Sequence, residues 1–177
     1  MDKKEVILEA IDIDRMLTRM THALLEVHRG SDNLVLIGIR TGGVYLAQRI
    51  QKKVFDIEHN SIPTASVDIT LYRDDWTRIA SHPILQGTEI PFSIDDMQVV
   101  LVDDVLFTGR TVRAAMDSLI DFGRPSRIEL MVLVDRGHRE LPIQANYCGK
   151  FVETKREQMI NVYLKENNSQ DSVVLEG

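Results

Sequence analysis

The chain has 177 residues, with 21 lysine and arginine residues against 27 aspartate and glutamate residues, and a formal net charge of −6 at pH 7. This length is typical of one globular domain, and a hydrophobic content of 44% excludes disorder over most of the chain. The net acidity argues against a protein that binds nucleic acid without regard to sequence, but it does not exclude a local basic face.

The N-terminal residues lack the apolar core of a signal peptide, and no segment approaches the roughly 18 apolar residues that a membrane span requires. The sole cysteine, Cys148, cannot close an intrachain disulfide, which favours a reducing compartment. We therefore expect a cytoplasmic protein with no membrane partner.

The first part of the chain alternates between helical and strand patterns. Apolar residues at helical spacing predict an amphipathic helix over residues 13–27, capped by Asp12 and ending near Gly30. A nearly continuous apolar run predicts a strand over residues 34–39, buried on both faces. A second helix is predicted over residues 44–55.

The middle of the chain continues this alternation around one long polar segment. Alternating residues predict a half-exposed strand over 65–72, and further strands are predicted at 98–102 and 128–134, with a helix over 111–122 between them. Residues 73–96 show no sustained period, which is typical of a functional arm or lid.

The last part of the chain shows weaker patterns. Residues 143–164 read as short strands of a small hood, and 167–177 as a loose tail. The alternation of strands and helices predicts one α/β domain over residues 1–177, with a central, mainly parallel sheet flanked by helices and a small appended region formed by the chain ends.

The most informative motif follows the predicted strand at 98–102. Its apolar run leads into two adjacent carboxylates, Asp103 and Asp104, and residues 108–111 (Thr-Gly-Arg-Thr) then open directly into a helix. A helix N-terminus binds phosphate through its backbone N–H groups, whereas the carboxylates suit vicinal sugar hydroxyls. The motif therefore predicts a site for a ribose 5-phosphate. A plain surface turn, or an acid pair that serves as a metal or phosphoacceptor site, is the alternative.

A second anion-binding loop is predicted after the first buried strand, at Arg40-Thr41-Gly42. Taken alone, such a loop is more often a simple turn. The sequence contains no Gly-x-x-x-x-Gly-Lys-Ser/Thr motif, which excludes a P-loop NTPase, and no Gly-x-Gly-x-x-Gly motif that would support a dinucleotide fold.

The apolar run, acid pair and Thr-Gly-x-Thr loop resemble the signature of the type I phosphoribosyltransferases, which bind phosphoribosyl pyrophosphate (PRPP). Residues 68–75 and 134–143 extend the resemblance to the bacterial regulators of pyrimidine operons that also act as uracil phosphoribosyltransferases. The similarity runs from about residue 6 to residue 164.

The resemblance implies the reaction uracil + PRPP → UMP + pyrophosphate, with Mg²⁺ carried by PRPP and no protein cage for the metal. It implies that Asp103 and Asp104 hold the ribose hydroxyls and that Arg73, in the predicted lid, closes over pyrophosphate. Arg136 and Val162 would lie on the uracil side. Phe107 stands where purine-using members often carry an acid. The implied PRPP- and UMP-binding residues are Arg40, Thr41, Gly42, Asp103, Asp104, Val105, Leu106, Phe107, Thr108, Gly109, Arg110 and Thr111.

The resemblance also implies UMP-dependent binding of pyrimidine-operon leader RNA, which attenuates transcription, and assembly into a homodimer or larger homo-oligomer. The candidate RNA-binding residues are Thr18, His22, Arg139 and Lys150. Gln144 departs from the family, which commonly carries arginine there. Two alternatives therefore stay open: a uracil salvage enzyme with weakened or lost RNA binding, and a nucleotide-sensing regulator with vestigial catalysis.

Overall fold

The computed structural model describes residues 4–70 and 87–177. In chain order, the elements of these residues are β1 (Lys4–Glu9), α1 (Ala10–His28), β2 (Leu34–Ile39), α2 (Gly42–Glu58), β3 (Thr64–Val67), β4 (Gln98–Leu106), α3 (Arg110–Ile120), β5 (Arg127–Asp135), β6 (Tyr147–Phe151), β7 (Met159–Tyr163) and β8 (Ser172–Glu176). None of the helices in these residues is long and apolar enough to cross a membrane.

The centre of the fold is a five-stranded sheet with the order β3-β2-β4-β5-β6, in which all neighbouring strands are parallel. The predicted α/β architecture is thereby confirmed. All six residues of β2 are buried, because α1 and α2 cover one face of the sheet and α3 covers the other. Two hydrophobic cores result, one on each side of the sheet.

Helix α1 begins earlier than the sequence predicts. Its N-cap is Glu9, and Asp12 is the third helical residue, whose carboxylate Oδ2 accepts the backbone N–H of Glu9 at 3.0 Å. The Glu9 side chain makes the reciprocal contact to the backbone of Asp12, so the two residues form a capping box. The helix ends on Arg29 in the left-handed conformation, with Gly30 following it as predicted.

The small sheet at the chain ends corrects two predictions. The supposedly loose tail, 167–177, contains β8, which pairs antiparallel with both β1 and β7. Residues 147–151, assigned to the hood, instead form β6 at the edge of the central sheet. Both errors have one cause: each strand has only five residues, and its place is decided by the strands with which it pairs, which so short a pattern does not reveal.

Most of the predicted lid lies outside the described residues. The described part shows its base, where Ser66 and Glu89 form an antiparallel bridge. The two backbone hydrogen bonds of this bridge are 3.1 and 2.9 Å long. The two described ends of the segment that contains the predicted lid therefore lie side by side, at Ser66 of β3 and Glu89.

Arg49 of α2 clamps the turn between β7 and β8. Its Nε donates to Glu166 Oε1 at 2.8 Å, and its Nη1 donates to Asp171 Oδ2 at 2.8 Å. The hydrogen bonds from Arg49 lower the pKa of both carboxyl groups below their usual values. The C-terminal segment is thus fixed to the main domain by an ion-pair network as well as by strand pairing.

Arg49→Met should lower the free energy of unfolding by about 1–3 kcal/mol at pH 7, since it leaves two half-buried carboxylates without their partner. Carboxyls with lowered folded-state pKa values stabilise the fold above about pH 4, and this stabilisation is lost as the pH falls further. Urea titrations between pH 7 and pH 3.5 should therefore show the variant and the parent converging. Lys52→Met, which removes an exposed charge from the same helix, is the matched control; an equal effect of both variants would contradict the clamp.

Candidate active site

Two loops meet at the carboxyl edge of the central sheet, because β2 and β4 are parallel neighbours with Gly38 paired to Val102. The first loop leads from β2 into α2 through Gly42, and the second leads from β4 into α3. A Cβ atom at position 42 would lie only 2.4 Å from Asp104 Oδ2, and one at position 43 only 2.1 Å from the carbonyl oxygen of Val102. Glycine at position 43 therefore allows the start of α2 to pack on the backbone of β4, and glycine at position 42 leaves room for the Asp104 carboxylate.

The two predicted sugar-binding carboxylates stand at the end of β4. Asp103 is 6% exposed, and its Oδ1 accepts the backbone N–H of Asp104 at 3.0 Å. Burial, followed by the neighbouring charge of Asp104, raises the pKa of the Asp103 carboxyl well above its usual value. Asp104 is half-buried, and its Oδ1 accepts the backbone N–H of Val105 at 2.7 Å. The less buried Asp104 is therefore the better placed of the two to meet a ligand.

Helices α2 and α3 both begin at this edge with open N-termini. Neither N-cap residue caps its helix with its own side chain, and at α3 the Thr108 hydroxyl accepts the backbone N–H of Arg110 at a long 3.3 Å. Their N-cap residues are Thr41 and Gly109, the latter with φ of +92°. Uncapped N-termini leave backbone N–H groups and the positive end of the helix dipole for an anion. The structure thus brings two anion-binding helix ends to either side of the carboxylate pair.

Arg40 enters this edge from the end of β2. Its backbone N–H donates to the Val67 carbonyl at 3.0 Å, and its peptide bond to Thr41 is cis. Its guanidinium Nη2 lies 3.9 Å from Glu89 Oε2, at the base of the predicted lid. Arg40 therefore connects the first anion-binding loop with the segment that leads to Arg73, which itself lies outside the described residues.

The segment 135–143, which follows β5, braces the second loop from behind. The carbonyl of Leu106 accepts the backbone N–H of Arg136 at 3.0 Å, and the carbonyl of Thr108 accepts that of Glu140 at 2.9 Å. Arg139 Nη1 donates to the carbonyl of Phe107, between these two, at 2.7 Å. In a trans peptide the C=O and the next N–H point in opposite directions, so the N–H groups that follow these three carbonyls face away from the brace.

Arg139 is the centre of this brace. Its guanidinium also donates to the carbonyl of Ile143 at 3.0 Å and to Asp135 Oδ2 at 2.5 Å. The sequence predicts Arg139 as an RNA contact, but most of its donors are directed into the protein. Its supporting role was missed because only the three-dimensional fold shows that a loop after β5 lies behind a loop after β4. The alternation of acids and bases over 135–140 was the available signal.

Glu140 ties the phosphate-side loop to the segment before β7. Its Oε2 accepts Arg110 Nε at 2.8 Å, and its Oε1 accepts Arg156 Nη2. These two guanidinium groups lower the pKa of the Glu140 carboxyl. Arg110, predicted within the phosphate-binding loop, is therefore already paired with a carboxylate.

The two predicted uracil-side residues lie on different elements. Arg136 follows β5 and is 6% exposed, with its guanidinium donating to Thr154 Oγ1 at 3.3 Å and to the Lys155 carbonyl at 3.0 Å. Val162 lies in β7 of the small sheet, paired with Val173. The segment around residue 154 connects the two, because it contacts Arg136 and then continues into β7.

Three of the predicted RNA-binding residues lie on neighbouring elements, since α1 packs beside the edge strand β6. Arg19 Nη2 joins them by donating to the carbonyls of Cys148 and Gly149 at 3.2 and 2.5 Å. His22 on α1 and Lys150 on β6 are exposed. Thr18 is half-buried, and its hydroxyl donates to the Asp14 carbonyl at 2.9 Å.

Asp103→Asn should make stability less sensitive to pH. A carboxyl whose pKa is raised in the folded state stabilises the protein below its unfolded-state pKa of about 4, and this contribution is lost as the pH rises through the folded pKa. Asparagine keeps the acceptor for the Asp104 N–H but has no proton to lose. As the pH rises above 4, the unfolding free energy of the parent should therefore fall relative to that of the variant, by up to ~1.4 kcal/mol per pH unit. Urea titration at each pH measures the difference. Parallel curves, or the same gain in the exposed Asp32→Asn control, would contradict this.

Comparison with known proteins identifies the family. The model for the phosphoribosyl transferase domain matches residues 9–166. A protein of Desulfosudis oleivorans called "Bifunctional protein PyrR" is 51% identical over 99% of this chain and 97% of its own length. A protein of the same name from Clostridioides difficile is also 51% identical, over 99% of both chains.

Solved structures give the same fold. A hypoxanthine phosphoribosyltransferase of Trypanosoma cruzi superimposes with a TM-score of 0.73 over 97% of this chain and 95% of its own, at 15% identity. One from Staphylococcus aureus gives a TM-score of 0.70 over 95% and 90% of the two chains, at 20% identity. The fold predicted from the sequence is thus confirmed as that of the type I phosphoribosyltransferases, and the chain belongs to the PyrR family within them.

Proposed function

We propose that the chain transfers the phosphoribosyl group of PRPP to uracil, forming UMP and pyrophosphate, and that with UMP bound it regulates pyrimidine genes through leader RNA. One observation carries the enzymatic half: two helix N-termini, neither capped by the side chain of its N-cap residue, flank a carboxylate pair at one sheet edge. That arrangement suits a ligand with phosphate at both ends and hydroxyls between them. The regulatory half is supported by the two relatives named bifunctional.

The site suits a reaction in which charge separates at the sugar without a protein nucleophile. Asp104 and Asp103 accept hydrogen bonds from the ribose hydroxyls and hold the ring. The backbone of residues 105–109 and the start of α3, at Arg110 and Thr111, bind the 5-phosphate. Arg40, Thr41 and Gly42 bind the leaving pyrophosphate. Holding both ends of PRPP fixes the sugar carbon between the leaving group and the incoming base.

Mg²⁺ belongs to this scheme as part of the substrate. The carboxylate oxygens of Asp103 and Asp104 are ligands of the type that Mg²⁺ prefers, so the pair fits an ion that PRPP carries into the site. The ion offsets negative charge on the leaving pyrophosphate. The protein residues hold the sugar and phosphates around it, and Arg73 of the lid segment adds a charge-assisted donor to the pyrophosphate.

The base lies, in this proposal, between Arg136 and the backbone near Val162. The Arg136 guanidinium is planar and buried, and the carbonyl and hydroxyl groups of residues 154–156 hold it. A fixed planar donor is well suited to the flat edge of a pyrimidine. Uracil would enter from the side of the small sheet, which supplies the backbone groups.

Asp104→Asn should lower kcat/KM for UMP synthesis by about 100-fold, ~2.7 kcal/mol, because it removes one acceptor and the charge opposite the reacting sugar. Asparagine retains the Oδ1 that accepts the Val105 N–H, so the loop should keep its shape. The measurement is UMP formation from uracil and PRPP. Asp56→Asn, an exposed site on α2, is the control. A parent protein that forms no UMP would rule out the enzymatic half.

The candidate RNA surface is formed by α1 and the edge of β6, with His22 and Lys150 exposed on it and Thr18 beside them. Arg19 joins the two elements through the carbonyls of β6. Arg139 lies apart from these two elements, behind the proposed phosphate loop, where it binds Asp135 of β5, the strand beside β6. Few free cations are exposed here, so RNA recognition must rely on the shape of a folded loop as well as on phosphate contacts.

Lys150→Gln should weaken the binding of pyrimidine leader RNA about three- to tenfold and reduce the salt slope of log K by about 1. Filter binding with and without UMP measures both effects, and the parent should bind more tightly when UMP is present. Lys52→Gln, an equal change of charge on α2, is the control and should leave binding unchanged. Binding that ignores UMP, or that is no tighter than for unrelated RNA, would instead favour the salvage enzyme. A homo-oligomeric assembly and a cytoplasmic location stay predictions from the sequence.

A further inference from the structure

The Arg136 guanidinium is buried beside the proposed base site, and no carboxylate of residues 4–70 and 87–177 forms an ion pair with it. In the described part of the chain, all the hydrogen bonds that its side chain donates go to uncharged oxygens: Thr154 Oγ1 at 3.3 Å, the Lys155 carbonyl at 3.0 Å and the Arg156 carbonyl at 3.3 Å. This burial lowers the pKa of Arg136. Something else must therefore stabilise the charge and fix the plane of the group.

Phe107 supplies that contact. The Arg136 Cζ atom lies 4.0 Å from the centre of the Phe107 ring, within the range of a cation–π interaction. The other contact of the ring is an edge-to-face approach by His138, with centroids 5.9 Å apart and planes at 74°. His138 Nε2 is in turn 2.7 Å from the Thr154 carbonyl. The aromatic ring is thus held between two side chains that are both fastened to Thr154.

The backbone of Phe107 makes a different contact from its ring. Its carbonyl accepts from Arg139 in the brace behind the phosphate loop, so the main chain at this position is fixed independently of the aromatic ring. The next residues, Thr108 and Gly109, lead to the start of α3. One residue therefore contributes its backbone to the phosphate side and its ring to the base side.

We propose that Phe107 is a positioning residue for the pyrimidine base, which acts by holding the guanidinium plane of Arg136 and does not itself touch uracil. The inference rests on the proposed function, since it assigns Arg136 to the base. The proposal separates binding of the base, through the Phe107 ring, from binding of phosphate, through the backbone of the same loop. A change to the ring should therefore weaken binding of the base and leave binding of PRPP intact.

Phe107→Leu keeps an apolar side chain but removes the π face. It should raise KM for uracil and Kd for UMP about tenfold, ~1.4 kcal/mol, while KM and Kd for PRPP change less than about twofold. Phe107→Tyr keeps the aromatic ring, so its KM for uracil and its Kd for UMP should stay close to those of the parent. Phe55→Leu, an exposed phenylalanine on α2, is the matched control.

A double-mutant cycle with Arg136→Lys tests the pathway of the effect. Lysine keeps the charge but lacks the plane that stacks on the ring. If Phe107 acts through Arg136, the double variant Phe107→Leu/Arg136→Lys should lose no more affinity for UMP than Arg136→Lys alone. Calorimetric titration of UMP and of PRPP gives all the required constants without depending on turnover.

Two results would overturn the inference in a parent protein that forms UMP. One is an equal loss of affinity for PRPP and UMP in Phe107→Leu, which would mean that the loop as a whole has shifted. The other is additive losses in the double variant. A parent that neither binds UMP nor forms it would instead refute the proposed function, and the inference with it, before any variant is compared.

Discussion

The close approach of Gly42 to Asp104 is the constraint on which the rest of the site depends. Strands β2 and β4 are neighbours in the sheet, and a Cβ at position 42 would lie 2.4 Å from the Asp104 carboxylate. At the next position, a Cβ on Gly43 would lie 2.1 Å from the carbonyl oxygen of Val102, so the start of α2 packs directly on the backbone of β4 and against the Asp104 side chain. A ligand with two anionic ends meets donors that are already in place, and little reorganisation is left for the moment of reaction.

The brace formed by residues 135–143 complements this contact from the opposite side. Three successive carbonyls, those of Leu106, Phe107 and Thr108, are engaged by donors of the brace. Because each trans peptide presents its C=O and N–H on opposite sides, this engagement orients the N–H groups of the loop away from the brace. The segment is thus, in the structure, a support for the loop that we propose to bind the 5-phosphate.

The sequence predicts well what is local and poorly what depends on distant partners. The buried strand over Leu34–Ile39 and the helix after Gly109 follow from apolar runs and glycine positions, and both are confirmed. Strand β8 was missed because its five residues carry a weak pattern and its position is set by two partners, one of which, β1, lies at the other end of the chain. The candidate site residues were proposed from their motifs and stay predictions; the contacts of Arg139 were not predicted, since no spacing along the chain shows which loop lies behind another.

The net charge of −6 takes on a more specific meaning once the contacts are known. Basic residues near the site are largely paired: Arg139 with Asp135, and Arg110 and Arg156 with Glu140. A count of lysines and arginines therefore overstates the positive potential that an RNA would meet. Affinity for RNA must come from a small number of exposed cations on α1 and β6, and specificity from the fit of a folded loop, so the acidic average constrains how this protein could recognise RNA more than whether it could.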